Sequence, residues 1–387
     1  MTIEIFNSPI DVVTSLAIFL IGLIVIETVR KRLYIKQFVA ALIYVWHTLF
    51  SMAYMVMGFY TQSDSSNYYL RSLDYDYQPV IGFGTNFVDF LMKQLVTVFS
   101  LSYFELFLFF GFFGSLGLVF FYASIQSVVR NKSKSIKRYA PLLVFLPGLS
   151  FWSSSIGKDS IALLSVGLFT WWAFVNKSNK IIFFSIIIML LARPHVAAMM
   201  AIALVASRLF GNSSRVLSVS GLIALTTSAF IGYFLIKYGL KYAGLSIDGM
   251  NIGVLQEYFQ HRQTLNQSGG LAINIQDLTI FEKIFAFLFR PLFFDGGGIF
   301  LLIASIENLI IFLFLFHCIR NTGLRRVYNL KYYLHATTYA VIFIFTMSSV
   351  TANLGIALRQ KWMVLPVLIL IFISLSREIK INKIINN

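Results

Sequence analysis

The sequence predicts an all-α fold, a polytopic helical membrane protein with about 11 membrane segments. Of its 387 residues, 58% are hydrophobic and only 12% are charged, whereas about a quarter of a soluble domain is charged. The same hydrophobicity excludes an intrinsically disordered chain. The apolar runs continue for about 20 residues, as in transmembrane helices, instead of alternating over roughly 10 as in barrel strands. We therefore expect residues 1–387 to form a single integral membrane domain.

The distribution of basic residues orients the amino-terminal half of the chain. Spans are predicted at about residues 9–29, 37–60, 103–129, 139–155 and 160–175. Cytoplasmic loops collect Lys and Arg, so the basic clusters at 30–36 and 130–138 should face the cytoplasm. The acidic amino terminus then lies outside, together with the segments 61–102 and 152–159.

The apolar run 181–209 contains an Arg193-Pro194 pair and allows two interpretations. We favour a hairpin of two short helices that turns at this pair, because proline removes a helical hydrogen-bond donor. A limb of about 12 residues rises only about 18 Å, so the turn would lie below the outer surface. The hairpin keeps the long polar segment 237–280 outside. The alternative is one long helix, which makes 281–294 a crossing.

The remaining segments complete the predicted topology. Three further spans follow at about residues 297–318, 332–350 and 362–376, and they leave the carboxyl terminus in the cytoplasm. The outer loop 61–102 becomes amphipathic near 86–99, which is typical of an interfacial helix. The segment 237–280 is predicted to form a helical cap on the outer, periplasmic face.

Several basic residues lie where the positive-inside rule gives no reason for them. They are Lys158, Arg193, Arg262, Arg290 and Arg359. An arginine near the bilayer centre costs about 2.5–3.5 kcal/mol on insertion scales, so several on one side suggest a shared anionic ligand. The alternative is pairing with acids such as Asp159 or Asp295. Arg193 and Arg290 each precede a proline, which predicts a helix break where a guanidinium can bind phosphate oxygens.

The histidines offer two candidates for a general base. His195 lies beside Arg193 and is either a proton acceptor or a packing residue. His261 follows Glu257 by one helical turn, so the carboxylate could orient the imidazole as a base, or both belong to a solvated cap helix. The five histidines show no metal-ligand spacing and Cys318 is the single cysteine, so we predict no metal and no cofactor.

Four local motifs give the chain a resemblance to a known family. They are Gly157-Lys158-Asp159, Arg193-Pro194-His195, Arg290-Pro291 and Asn353-x-Gly355-x-x-x-Arg359. With many spans and a long outer loop, the chain resembles the Wzy family of O-antigen polymerases, which join oligosaccharide repeat units. The resemblance implies a glycosyltransferase C-like membrane fold and a metal-independent enzyme on the outer face of the bacterial inner membrane. The related O-antigen ligases use the same kind of donor, and no strict signature separates the two.

The resemblance also implies partners and residue roles. The donor would be an oligosaccharide linked to undecaprenyl pyrophosphate, and the partners would be membrane lipids and a chain-length regulator protein, with no nucleic acid. The guanidinium groups of Arg193, Arg290 and Arg359 would bind the pyrophosphate, assisted by Lys158. His195, or His261 with Glu257, would be the base, and Arg262 would contact the acceptor. The rival functions are a lipid-linked oligosaccharide flippase or transporter and a membrane acyltransferase.

Overall fold

A computed structural model describes residues 3–61, 63–211, 233, 271–275, 277–322 and 328–378. Its helices are α1 (Ile10–Leu33), α2 (Gln37–Tyr60), α3 (Asp64–Leu73), α4 (Thr85–Thr97), α5 (Tyr103–Val128), α6 (Lys134–Tyr139), α7 (Pro147–Ser153), α8 (Lys158–Phe174), α9 (Asn179–Ala192), α10 (Pro194–Gly211), α11 (Ile280–Phe289), α12 (Ile299–Arg320), α13 (Leu334–Val350), α14 (Leu354–Gln360) and α15 (Leu365–Leu375). Across these described ranges there is no β-strand, and the predicted all-α class is confirmed.

Five of the described helices are long and apolar enough to cross a membrane. They are α1, α2, α5, α12 and α13, where α5 and α13 include short 3-10 extensions. A sixth crossing results if α14 and α15, which meet at a bend of 56°, count as one broken span. These helices support a multi-pass membrane protein, and the count of 11 segments stays a prediction.

The predicted spans agree with the helices except at two places. The segment predicted as one span at 139–155 is not a continuous helix, because the chain forms a 3-10 helix over Ala140–Phe145 and then the short helix α7. Leu146 separates them with an extended ψ of 127°, as expected for a residue before proline. The span predicted at 362–376 is shorter than expected, because α15 begins only at Leu365, after the bend.

Both Arg-Pro pairs end helices, as the sequence predicts. Arg193 ends α9 with φ −145° and ψ 84°, and Arg290 ends α11 with ψ 154°. Helix α9 packs along α8, whereas α10 packs along α13. The alternative crossing at 281–294 is not formed, because α11 has 10 residues and rises only about 15 Å.

Helices α5 and α8 pack very closely against each other. A Cβ atom placed on Gly167 of α8 would lie 2.3 Å from the carbonyl oxygen of Gly117 in α5. Small residues at such interfaces let membrane helices approach backbone to backbone. The two glycines therefore fix how α8 lies against α5.

The segment 61–102, predicted to be an outer loop, contains two helices that cover one end of the bundle. The predicted amphipathic helix is present as α4, with Val88, Met92 and Leu95 buried on one face at helical spacing. Helix α3 buries Tyr68 and Tyr69 against the bundle. This end of the molecule also holds the first turn of α8.

Candidate functional site

Asp159 stands at the centre of a group of charged side chains at the predicted outer end of the bundle. Helix α8 begins at Lys158, directly after Gly157, whose φ of 131° and ψ of −148° are open essentially to glycine. A Cβ on Gly157 would also lie 3.0 Å from the ring of Tyr68. This turn places Asp159 in the first helical turn, where the macrodipole favours a carboxylate, and leaves it only 6% exposed.

Two arginines from distant parts of the chain share the carboxylate of Asp159. An Nη atom of Arg193 contacts Oδ1 of Asp159, and Nε of Arg359 contacts Oδ2. The other arm of Arg359 donates to Oδ2 of Asp64 at 2.6 Å. Asp64 lies in the first turn of α3, so the group joins α3, α8, the α9–α10 break and α14. We call these four residues the Asp159 cluster.

The local sequence explains how Arg359 reaches the Asp159 cluster. Asn353 caps α14, since its side-chain oxygen accepts hydrogen bonds from the backbone N–H groups of Gly355 at 2.8 Å and Ile356 at 3.3 Å. The cap starts a seven-residue helix whose last turn carries Arg359. The Asn353-x-Gly355 motif is thus a helix start that positions the arginine.

Lys158 adds a further positive charge at the rim of the Asp159 cluster. Its Nζ donates to Oγ1 of Thr85, the first residue of α4, at 3.1 Å. The neighbouring Gly84 N–H donates to the carbonyl of Leu191 near the end of α9 at 2.8 Å. The structure thus brings Lys158, Arg193 and Arg359 together, as predicted for three of the four pyrophosphate ligands. With Asp159 and Asp64, three positive and two negative groups leave a net charge of +1.

A small cavity opens beside the Asp159 cluster. It offers about 10 Å³ to the centres of water molecules, room for about one water, and is lined by Trp152, Ser153, Asp159, Leu163, Arg359, Trp362 and Met363. Within the described part of the chain, two buried donors here have no acceptor, Nε of Arg193 and the indole N–H of Trp362. Buried donors are normally satisfied, so an acceptor-rich ligand or water suits this place.

Arg290 lies in a different turn and has its own carboxylate. Its Nε donates to Oδ1 of Asp295 at 2.9 Å, and the backbone N–H of Leu292 donates to Oδ2 at 2.7 Å. Burial opposes the ionisation of Asp295, but these hydrogen bonds outweigh it and hold its pKa below the ordinary value. Arg290 therefore forms a local ion pair, as the alternative interpretation of the sequence expected, and the pairing of Arg193 and Arg359 with Asp159 agrees with that interpretation as well.

A second buried polar group lies around Lys361, the basic residue two positions after Arg359. Its Nζ donates to Oδ1 of Asn308, and Nδ2 of Asn308 donates to the carbonyl of Pro291 at 2.8 Å. The adjacent Glu307 accepts a hydrogen bond from the backbone N–H of Gly148 at 2.5 Å. The available signal was an acid and an amide in the middle of the apolar helix α12.

The remaining predicted site residues fall in two groups. His195 lies in the first turn of α10, partly buried and two residues from Arg193. Glu257, His261 and Arg262, with most of the predicted cap at 237–280, lie outside the described residues. The described residues include no group of three or more His, Cys, Asp or Glu side chains that could hold a metal ion.

No family model, curated protein or solved structure matches this chain. The chemistry of the site therefore rests on its own geometry. Guanidinium and ammonium groups from three parts of the fold lie beside a small cavity and two unsatisfied donors. Such an arrangement is suited to an anionic, multi-oxygen group such as a phosphate.

Proposed function

We propose that the chain is a glycosyltransferase that joins undecaprenyl-pyrophosphate-linked oligosaccharide repeat units into a surface polysaccharide, O-antigen or similar. The observation that carries this proposal is the convergence of Arg193, Arg359 and Lys158 at one end of the bundle. The proposal includes the bacterial inner membrane, about 11 membrane segments, an outer amino terminus and a cytoplasmic carboxyl terminus. The site then faces the periplasm.

The reaction needs positive charge at the leaving group. The acceptor hydroxyl oxygen attacks the anomeric carbon of the donor sugar, and the bond from that carbon to the pyrophosphate oxygen breaks. Lipid pyrophosphate leaves with the electron pair. Guanidinium groups held in place before the reaction stabilise this charge without a metal, and Arg193 and Arg359 would supply them, assisted by Lys158.

The acceptor proton requires a base, and we assign it to His195. This histidine is two residues from Arg193 and lies next to the proposed pyrophosphate site in the chain. His261 with Glu257 is the alternative base, and Arg262 would contact the acceptor. Asp159 is unsuited to this role, because two guanidinium groups favour its ionised form and make it a weak proton acceptor.

Asp159 instead orients the arginines. Each guanidinium contacts a different oxygen of the same carboxylate, so Asp159 fixes their mutual arrangement. Preorganised donors of this kind need little rearrangement during the reaction. Arg290 would have to leave Asp295 to contact the pyrophosphate, and its turn is tied to Lys361 through Asn308.

A reconstituted assay tests the proposal. Purified protein in nanodiscs receives undecaprenyl-pyrophosphate-linked repeat units isolated from the bacterium that encodes the chain, and the glycans are sized. We expect wild-type protein to lengthen them. Arg359→Ala and Arg290→Ala should each reduce the rate by about 10²–10³-fold, as for the loss of an oxyanion donor. Arg138→Ala is the matched control, because Arg138 belongs to the predicted cytoplasmic cluster and contacts the ring of Tyr139.

The same assay separates the rival functions. Movement of the lipid-linked unit across the bilayer without growth identifies a flippase. Transfer of the glycan to a different lipid identifies a ligase, and transfer of an acyl group identifies an acyltransferase. If Arg290→Ala and Arg359→Ala are both made at normal levels and still produce full-length polymer, the assignment of these residues is wrong.

A further inference from the structure

A buried chain of hydrogen bonds connects the two arginine turns of the proposed site. Lys361 follows Arg359 by two residues and is only 1% exposed. Its Nζ donates to Oδ1 of Asn308, which is fully buried in α12, and Asn308 donates to the carbonyl of Pro291. Pro291 directly follows Arg290. Two side chains therefore connect the Arg359 segment to the Arg290 segment.

Glu307 extends this network to a third segment. Its carboxylate accepts the backbone N–H of Gly148, at the start of α7. A Cβ on Gly148 would lie 2.3 Å from Oε2 of Glu307, so the contact depends on glycine at this position. Helix α7 leads into the turn at Gly157 and then to Asp159. The network thus touches the segments that carry Arg359 and Arg290 and the helix that leads to Asp159. The segments of α3 and α9, which carry the other charged groups, lie outside it.

Packing alone does not explain these buried charges. Ionisable groups inside a membrane domain are costly, and buried ion pairs can often be replaced by apolar residues without loss of stability. Lys361 also lies just before the 56° bend between α14 and α15. Without the bend α14 would point in another direction, and Arg359 would not reach Asp159. An ammonium held by an amide oxygen at the bend fixes the direction of α14.

We propose that Lys361 and Asn308 are positioning residues that set Arg359 relative to the Arg290 turn, with Glu307 as the buried countercharge. This inference rests on the proposed function, because it assigns the network a role in aligning the pyrophosphate-binding arginines. Lys361 itself touches no substrate. It acts through Arg359, two residues away on the same short helical segment.

The test uses Lys361→Met, which keeps the length of the side chain and removes its charge. Full-length protein in nanodiscs is assayed for polymer formation and for binding of undecaprenyl pyrophosphate, with undecaprenol as the uncharged probe. We expect turnover to fall by about a hundredfold, because a mutation far from the reacting atoms that displaces a catalytic group by about 1 Å has an effect of this size. Binding of undecaprenyl pyrophosphate should weaken, while binding of undecaprenol stays at the wild-type value.

A double variant separates positioning from a merely structural role. If Lys361 acts through Arg359, Lys361→Met/Arg359→Ala is no slower than Arg359→Ala alone. Additive losses of rate, accompanied by a lower melting temperature, would overturn the proposal. Lys132→Met is the matched control: Lys132 is a similarly buried lysine that donates to the carbonyls of Ser374 and Ser376 at 2.8 Å, at the carboxyl-terminal end of α15. It should lower the melting temperature and leave the rate per folded molecule unchanged.

The outcomes distinguish this inference from the function on which it rests. If Arg359→Ala binds undecaprenyl pyrophosphate as wild type does, the proposed function fails. If Arg359→Ala is defective and Lys361→Met behaves as wild type, only the positioning role fails. Should Lys361→Met not fold, Lys361→Met/Glu307→Gln removes both buried charges and carries the same test. Failure of both variants to fold shows that the network is a folding requirement, which also overturns the proposal.

Discussion

The Asp159 cluster and the Arg290 turn both pair arginine with aspartate, but the paired residues are separated by very different lengths of chain. Arg290 finds Asp295 five positions along the chain, so the pair forms wherever the turn itself forms. Asp159 binds Arg193, 34 positions away, and Arg359, 200 positions away. The Arg290 pair therefore stabilises a turn, whereas the pairs of Asp159 exist only when several helices have packed together.

The two regions differ in sharing more than in burial. The side chains of Asp159 and Asp295 are 6% and 3% exposed, and those of Arg359 and Arg290 are 23% and 25% exposed. Asp159 serves two guanidinium groups, whereas Asp295 serves one guanidinium and one backbone N–H. Removal of a carboxylate should therefore have very different consequences in the two places.

The largest effect is expected for Asp159→Asn. The substitution leaves the buried guanidinium of Arg193 without a negative partner, and breaking a buried pair in this way costs about 3–5 kcal/mol. We expect a clear loss of thermal stability in detergent, measured by unfolding of the purified protein. The matched control is Asp64→Asn, since the side chain of Asp64 is 48% exposed and its pair with Arg359 should contribute less than about 1 kcal/mol. Equal losses of stability for both variants would show that the burial of Asp159, 6% exposed against 48% for Asp64, does not strengthen its ion pairs.

An intermediate effect is expected for Gly157→Ala, which leaves every charge of the Asp159 cluster in place. A side chain at φ 131° is strained, and conformations of this kind cost about 1–3 kcal/mol. Because Gly157 starts α8, the variant should also reduce polymer formation per folded molecule. Thermal unfolding and the reconstituted assay measure the two quantities. A variant with wild-type values in both would show that the cluster does not depend on this turn.

The smallest effect is expected for Asp295→Asn at neutral pH, about 1 kcal/mol, because asparagine keeps an acceptor for the Leu292 N–H and the side chain of Arg290 is 25% exposed. The folded-state pKa of Asp295 is lowered, so its contribution is fully present above the unfolded pKa of about 3.9 and is lost as the pH falls through the folded value. The unfolding free energies of wild type and variant should therefore converge below about pH 4. A difference that grows on acidification would reverse the sign and contradict the ion pair.

The helices and their breaks were largely predictable from local signals. Long apolar runs located α1, α2, α5, α12 and α13, and proline located the breaks after Arg193 and Arg290. The break inside the span predicted at 139–155 was not predicted, because hydropathy does not register the effect of Pro147 on the residue before it. Local sequence therefore predicts elements well and fails where a single backbone angle divides an apolar run.

The composition of the site was predictable only in part. Lys158, Arg193 and Arg359 were selected because charge is costly in a membrane, and the structure brings these three together. Their convergence on one carboxylate depends on residues up to 200 positions apart, which no local pattern encodes. Glu307 and Asn308 were visible as an acid and an amide within an apolar helix, but the hydrogen bond from Lys361 to Asn308 required coordinates.

The glycine contact between α5 and α8 has a consequence for where inactivating substitutions can lie. Gly167 lies eight positions after Asp159, about 12 Å along the same helix. A methyl group added there would meet the backbone of Gly117 and displace α8 along its whole length. A substitution deep in apolar surroundings would then present as misalignment of the carboxylate, so variants that disable the protein need not map near the residues that do its chemistry.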